Sequence, residues 1–270
     1  MFSSQFMIYA LIGIIFVTLL LPLIGINVVT KRMSMIGDVI SHTSLCGIAI
    51  GLVAGSLPIL WAILASVVAG IIIEFVRTKF SKFAEISLAI VLSFAIGLTS
   101  ILSTNTGNRL ESFLFGSILT LDNLDLIVLA IVFAVCAIFF VGFYRTNMFI
   151  AYNPQEAVVS KLPIKAIGYL SSIVISASIA VSSAIIGSLL VASLMIIPVA
   201  CAIQITKSYF KTIIVALVIS FLSGFLGLVI SYYANIHTGG TIVLIATSVL
   251  ILTFIVKYGI RVYFKFRKNK

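Results

Sequence analysis

Long apolar stretches separated by short breaks rich in Lys, Arg, Gly, Pro or Asn dominate this chain. Residues 1–30 contain no Lys, Arg, Asp or Glu, and neither do residues 166–206 or 212–256. A helix of about 20 apolar residues spans a bilayer core, so these runs are long enough for one, two and two passes respectively. Charge breaks and turn residues predict nine helices, over 6–29, 35–54, 58–76, 86–104, 124–144, 166–183, 185–204, 212–233 and 240–260. The expected fold class is therefore all-α, a polytopic transmembrane bundle of eight to nine helices forming one domain over 1–270. At "VSSAIIGS", 181–188, two passes must turn with almost no loop, and a broken or re-entrant helix is the alternative.

Two connections carry structure of their own. In "NTGNRLESFLFGSILTLDNLDL", 105–126, the segment "ESFLFGSIL" is amphipathic enough to lie along the membrane or dip into it. In "RTNMFIAYNPQEAVVSKLPIKAIG", 145–168, Asn153 can cap and Pro154 can begin a short surface helix, "PQEAVVSKL". Small residues crowd the late helices, among them Ser171, Ser176, Ser182, Gly187, Ser220 and Gly224. In lipid such residues let backbones approach closely, which predicts a tight bundle with the sixth to eighth helices near its centre.

Charge sets the orientation. The composition is 62% hydrophobic and 9% charged, with a net charge of +10. If the C-terminal "KFRKNK" is cytoplasmic and the passes are odd in number, the N-terminus lies outside and, of 17 Lys and Arg, only Arg109 falls outside. Such a bias is the positive-inside pattern, so the basic character reports topology and argues against nucleic acid as a partner. The start "MFSSQFMIYALIGIIF" has no basic segment ahead of its apolar stretch, which predicts a retained helix rather than a removed signal. Cys46, Cys136 and Cys201 are far apart in apolar surroundings and read as packing residues.

Chemistry concentrates in "GDVISHTSL", 37–45. Asp38 and His42 are four residues apart and share a helix face, a spacing that lets a carboxylate and an imidazole reach one ion. With Lys31-Arg32 marking the interface and helix running on from there, Asp38 lies roughly 10 Å in and His42 roughly 16 Å in, near the midplane. A carboxylate at that depth requires a cation, a proton or a buried partner. The plainer reading is a hydrogen-bonded Asp–His pair that fixes helix packing. Carboxylate with imidazole suits zinc, manganese and iron, and two ligands hold an ion loosely enough for release. Glu74 reads as a salt-bridged residue beside Arg77 at the inner surface, and His237 as an exposed loop histidine. No G-x-x-x-x-G-K-[ST], H-E-x-x-H or catalytic triad pattern occurs, so the chain is not expected to be an enzyme.

"VVTKRMSMIGDVISHTSLCGIAIGL", 28–52, resembles the signature of the membrane subunits of zinc and manganese ABC importers, the ZnuB/MntB type. "FLFGSILTLDNLDL", "YNPQEAVVSKLP", "IGSLLVASLMIIPVACA" and "SGFLGLVISYYANIHTGGTIVL" follow in the family's order, so the resemblance covers nearly the whole chain. It implies a type II importer-like permease that pairs with a second copy, is driven by cytoplasmic ATPase subunits holding the ATP, and receives metal from an extracytoplasmic binding protein. No permanently bound cofactor is implied; the metal is cargo. By resemblance, Asp38 and His42 match positions for metal passage, and 198–211, including Pro198, Gln204 and Lys207, matches the cytoplasmic segment that docks on the ATPase. The chain departs from the family at Ile203, where an Arg is common, at Ser117, where an Asn is customary, and in "HTGG", which lacks a frequent Pro.

The expected function is ATP-driven import of a divalent transition metal at the plasma membrane, zinc first. Alternatives are manganese or iron on the same scaffold, a secondary transporter in which Asp38 and His42 carry protons, and a structural membrane scaffold.

Overall fold

The computed structural model describes residues 5–80, 83–106, 110, 113–114, 123–152, 164–234 and 236–268. Among them are ten helices: α1 (Gln5–Thr30), α2 (Ile36–Val53), α3 (Pro58–Lys79), α4 (Ala84–Thr106), α5 (Asn123–Gly142), α6 (Tyr144–Tyr152), α7 (Ile164–Ile186), α8 (Ser188–Ile205), α9 (Tyr209–Ala234) and α10 (Thr238–Lys268). Eight are long and apolar enough to cross a membrane, namely α1 to α5, α7, α9 and α10, while α8 offers a shorter apolar stretch, Leu190–Ile205. All nine predicted helices are present. The additional one, α6, has a mixed polar and aromatic sequence, YRTNMFIAY, which hides it from a search for apolar runs. The expected helix after Pro154 lies outside the described residues.

Local chemistry sets the helix ends. Pro58 occupies the first turn of α3, where its missing N–H costs nothing. The doubtful break near 181–188 falls at Gly187, whose φ of 91° is open to glycine without a Cβ penalty. It separates α7 from α8 with one residue between them. Pro22 inside α1 and Pro198 inside α8 are accommodated in helix, as neighbouring helices in membrane bundles allow.

Helix packing brings the basic breaks to one end of the bundle. A cluster of Ile26, Phe140, Val199, Ala202 and Tyr209 joins the ends of α1, α5 and α8 to the start of α9. At the same end Lys31 Nζ donates to Ser171 Oγ at 2.9 Å, and Lys257 bonds Gln204. The opposite end is gathered by Leu45, Ile48, Ala62 and Leu110, with Phe113 and Leu114 packed against them. Two adjacent residues of "ESFLFGSIL" thus pack against the bundle; the remainder lies outside the described residues.

The most enclosed spans are α2, α7 and α1, while α5, α4 and α10 are the least enclosed. Of the three helices expected at the centre, α7 and α8 are there, but α9 buries one stripe only. That stripe holds its small residues Ser220, Ser223, Gly224 and Gly227, while Val218, Leu222, Leu226 and Ile230 stay exposed on the other side. α2 takes the central position instead. A Cβ at Gly47 would overlap the Trp61 carbonyl oxygen of α3, so glycine is what lets these two backbones meet.

Candidate functional site

α2 begins at Ile36, after a turn in which Arg32 adopts φ 56° and Met33 N–H bonds the Val28 carbonyl at 3.0 Å. This turn interrupts the continuous helix from Lys31 on which the expected depth of the Asp–His pair depends. Residues 31–35 do not advance as helix, so Asp38 lies in the first turn of α2, roughly 3 Å along its axis, and His42 roughly 9 Å along. At that position the free N–H groups of the helix start favour a carboxylate.

α2 is packed closely around Asp38: Gly37, Val39, Ile40 and Ser41 are all buried. Asp38 itself is exposed and His42 half-buried. Among the described residues Asp38 makes no hydrogen bond and no ion pair, and the His42 ring interacts with it only through space. The hydrogen-bonded packing pair is therefore absent. The carboxylate has no partner within the described residues, on a helix whose other faces are occupied.

His42 opens onto a pocket of about 490 Å³ between α2 and α4. His42 and Leu45 line one wall, and Ile96, Thr99, Ser100 and Ser103 the other. Leu110 and Leu114 contribute from the connection beyond α4. Behind α2, Ser183 Oγ of α7 donates to Ser44 Oγ at 2.9 Å, fixing the helix from the side away from the pocket. Among the described residues, no three His, Cys, Asp or Glu side chains converge closely enough to hold a metal.

At the basic end the expected Glu74–Arg77 pair is present, buried rather than at the surface, and it gathers a third residue that the sequence does not point to. Glu74, 3% exposed, accepts from Arg77 Nη2 at 2.5 Å. Gly168 of α7 faces this pair so closely that a Cβ there would stand 2.5 Å from Glu74 Oε1. Lys31 joins them through Ser171. Burial of its amine, aided by the neighbouring Arg77 and opposed by Glu74, pushes its pKa down to about 8. Lys31 reads in the sequence only as a marker of the interface, and the three-residue spacing of Glu74 and Arg77 is the one signal of the cluster available there.

The three remaining site residues sit differently from one another. Pro198 is buried inside α8, next to the fully buried Val199. Gln204, half-buried, is held by Lys257 of α10. Lys207 is exposed in the turn between α8 and α9, flanked by exposed Ile205 and Phe210. His237 is exposed at the opposite end, as expected.

Comparison with known proteins matches this arrangement to a family. The model of the ABC 3 transport family fits residues 3–257. A probable metal transport system membrane protein of Treponema pallidum is 34% identical over 254 residues, covering 93% of this chain and 96% of that protein. The manganese transport system membrane protein MntC of Listeria monocytogenes is 28% identical over 249 residues, 91% of this chain and 89% of its own length. Among solved structures, PsaBC from Streptococcus pneumoniae in complex with Fab superposes with a TM-score of 0.83 at 25% identity, covering 93% of this chain and 92% of that one. The family model spans all ten helices but the end of the last, and the chain is a multi-pass membrane permease that belongs to the ABC 3 transport family.

Proposed function

We propose that this permease imports a divalent transition metal, zinc first, and that Asp38 and His42 are the groups that pass the ion along. The observation that carries this reading is the exposed Asp38 carboxylate, without a partner among the described residues, one turn from a histidine that lines a pocket. A carboxylate turned to lipid would be costly, so its face belongs against a hydrated path or a second protein surface. A second copy of the chain, bringing its own Asp38 and His42, doubles the ligand set from one carboxylate and one imidazole to two of each.

Imidazole ligands suit zinc and iron, whereas carboxylates suit manganese, which places the Asp–His set between the classes. The resemblance of "HTSLCGIAIG" to zinc-type members tips the choice to zinc; manganese is the alternative, supported by the likeness to MntC. ATP is bound and hydrolysed on a separate cytoplasmic subunit, and an extracytoplasmic binding protein delivers the ion. The basic end of the bundle faces the cytoplasm with the C-terminus, and the N-terminus lies outside. The ATPase meets the turn carrying Lys207 and the exposed Ile205 and Phe210, while Pro198 shapes the helix leading to it.

The test is ATP-dependent uptake of zinc and manganese into vesicles carrying the chain with its ATPase and binding protein. The double variant Asp38→Ala/His42→Ala is expected to assemble normally and lose uptake. Undiminished uptake would remove the pair from the ion path. Uptake that proceeds without the ATPase would replace the importer with a secondary transporter.

A further inference from the structure

We propose that the cytoplasmic end of α10 is a docking arm, a basic and aromatic helix that leaves the bundle near Phe254 and lies against an acidic surface of the ATPase subunit. The proposal rests on the reading that the turn carrying Lys207 meets the ATPase, and adds a second, separate contact beside it.

The length of α10 provides the arm. It runs unbroken from Thr238 to Lys268, 31 residues. At about 1.5 Å per residue that is roughly 46 Å, against about 30 Å for a bilayer core. Only Thr238–Gly259 of it is long and apolar enough to cross a membrane. The start of α10 is enclosed, with Ile242 and Ala246 buried and Ile242 packed on Gly227 of α9. Cover then runs out. Every residue from Phe254 to Gly259 is exposed, and since this stretch exceeds a full helical turn, no side of the helix is packed there. A Cβ added at Gly259 would meet nothing within 4 Å. Among the described residues, the last bond to the bundle is that of Lys257 to Gln204, at the end of α8. The arm therefore departs beside the turn that carries Lys207.

The sequence of the arm suits a protein partner. Positions 257–270 read KYGIRVYFKFRKNK, with six Lys or Arg and no Asp or Glu. In helical register Lys257, Arg261, Lys265 and Lys268 follow one another along one row, and Tyr258, Val262 and Phe266 along the next. A basic row beside an apolar one complements a surface that offers carboxylates next to an apolar patch. Anionic lipid headgroups also attract basic rows, and reach decides between the two surfaces. With Lys257 at the inner interface, positions 265 and 268 stand about 12 Å and 16 Å further along the axis. A headgroup layer is roughly 5–7 Å thick, so the outer half of the arm passes beyond it, into the space filled by a subunit docked on the Lys207 turn.

Two measurements on the assembled transporter in nanodiscs test this. In the first, photoreactive p-benzoylphenylalanine placed at Phe266 is expected to cross-link the ATPase, while the same group at Leu252, 60% exposed within the span, does not. Absence of an ATPase adduct at Phe266 would overturn the arm. In the second, Arg261→Glu/Lys265→Glu is expected to weaken ATPase binding about tenfold, as two surface ion pairs become repulsions, and equally in zwitterionic and partly anionic lipid. Lys257, Arg267, Lys268 and Lys270 stay basic in this variant, which preserves the membrane orientation. A loss confined to anionic lipid would make the arm a reader of the membrane surface, and an unchanged affinity would make it a bystander; either result overturns the proposal. Failure of the importer reading looks different. Wild type would then bind no ATPase at all, whereas failure of the arm alone leaves wild-type binding intact and insensitive to Arg261→Glu/Lys265→Glu.

Discussion

Ser183 Oγ donates to Ser44 Oγ at 2.9 Å, tying the helix that carries Asp38 and His42 to α7 through two hydroxyls that are both at least 98% buried. Each also reaches the Ala180 carbonyl, Ser44 at 3.3 Å and Ser183 at 3.0 Å. Hydrogen bonds between membrane helices average about 0.6 kcal/mol, because the separated helices find other partners. A double-mutant cycle of Ser44→Ala and Ser183→Ala, read by thermal unfolding in lipid nanodiscs, should therefore return a coupling of that order. A value near zero would mean that shape alone holds α2 to α7.

The α2–α3 contact should be far less forgiving. At Gly47 the obstacle to a Cβ is backbone, the carbonyl of Trp61, and not the flexible end of a side chain. Gly47→Ala must push α3 away, and overpacking of this kind costs roughly 1–3 kcal/mol. The expected result is a lowered unfolding temperature together with slower uptake, since Gly47 lies five residues beyond His42 on the same helix. A Cβ added at Gly97 would meet nothing within 4 Å, so Gly97→Ala in α4 serves as the neutral control.

The cluster of Lys31, Glu74 and Arg77 makes stability depend on pH in a definite direction. Lys31 has a folded-state pKa of about 8 against an ordinary value of 10.5, so holding it protonated opposes folding. That opposition is complete below about pH 8 and fades as pH rises toward 10.5, where both states are neutral. Relative to Lys31→Met, the wild type should gain in unfolding temperature between pH 8 and 10. A difference independent of pH across that window would contradict a buried amine. Glu74→Gln acts in the other sense, leaving Lys31 and Arg77 without their counter-charge. Breaking a buried pair costs on the order of 3 kcal/mol, and this variant should be the least stable of the set.

Much of this was legible in the sequence because lipid imposes a simple rule. Apolar runs become helices and basic breaks mark one end, so all nine predicted helices are found, with the α7–α8 division at Gly187. The i, i+4 spacing of Asp38 and His42 was equally readable. What stayed hidden depends on tertiary contact. Nothing in "VVTKRMSMIGD" announces that Arg32 turns the chain and that helix restarts only at Ile36. Thr99, Ser100 and Ser103 resemble the many packing hydroxyls of the late helices, and only the pocket distinguishes them. Lys31 carries no sign that its amine is buried under Ser171 rather than lying at the surface. Pro198 and Lys207 look like one continuous docking segment, yet one is inside a helix and the other on a turn.

That last contrast separates two roles within 198–211. Ile205 is 59% exposed and Phe210 59% exposed, on either side of exposed Lys207, whereas Pro198 is enclosed by the bundle. Ile205→Asp and Lys207→Glu change only what a docking partner would meet. They should weaken association with the ATPase, seen as reduced co-purification, while leaving the unfolding temperature of the isolated permease within about 0.5 kcal/mol equivalent, as surface substitutions do. Pro198→Ala should do the reverse. It removes a helix-internal proline, changes the stability and local geometry of α8, and retains ATPase association. If Pro198→Ala abolished co-purification at unchanged stability while Lys207→Glu had no effect, the docking surface would have to be moved off the turn and onto α8 itself.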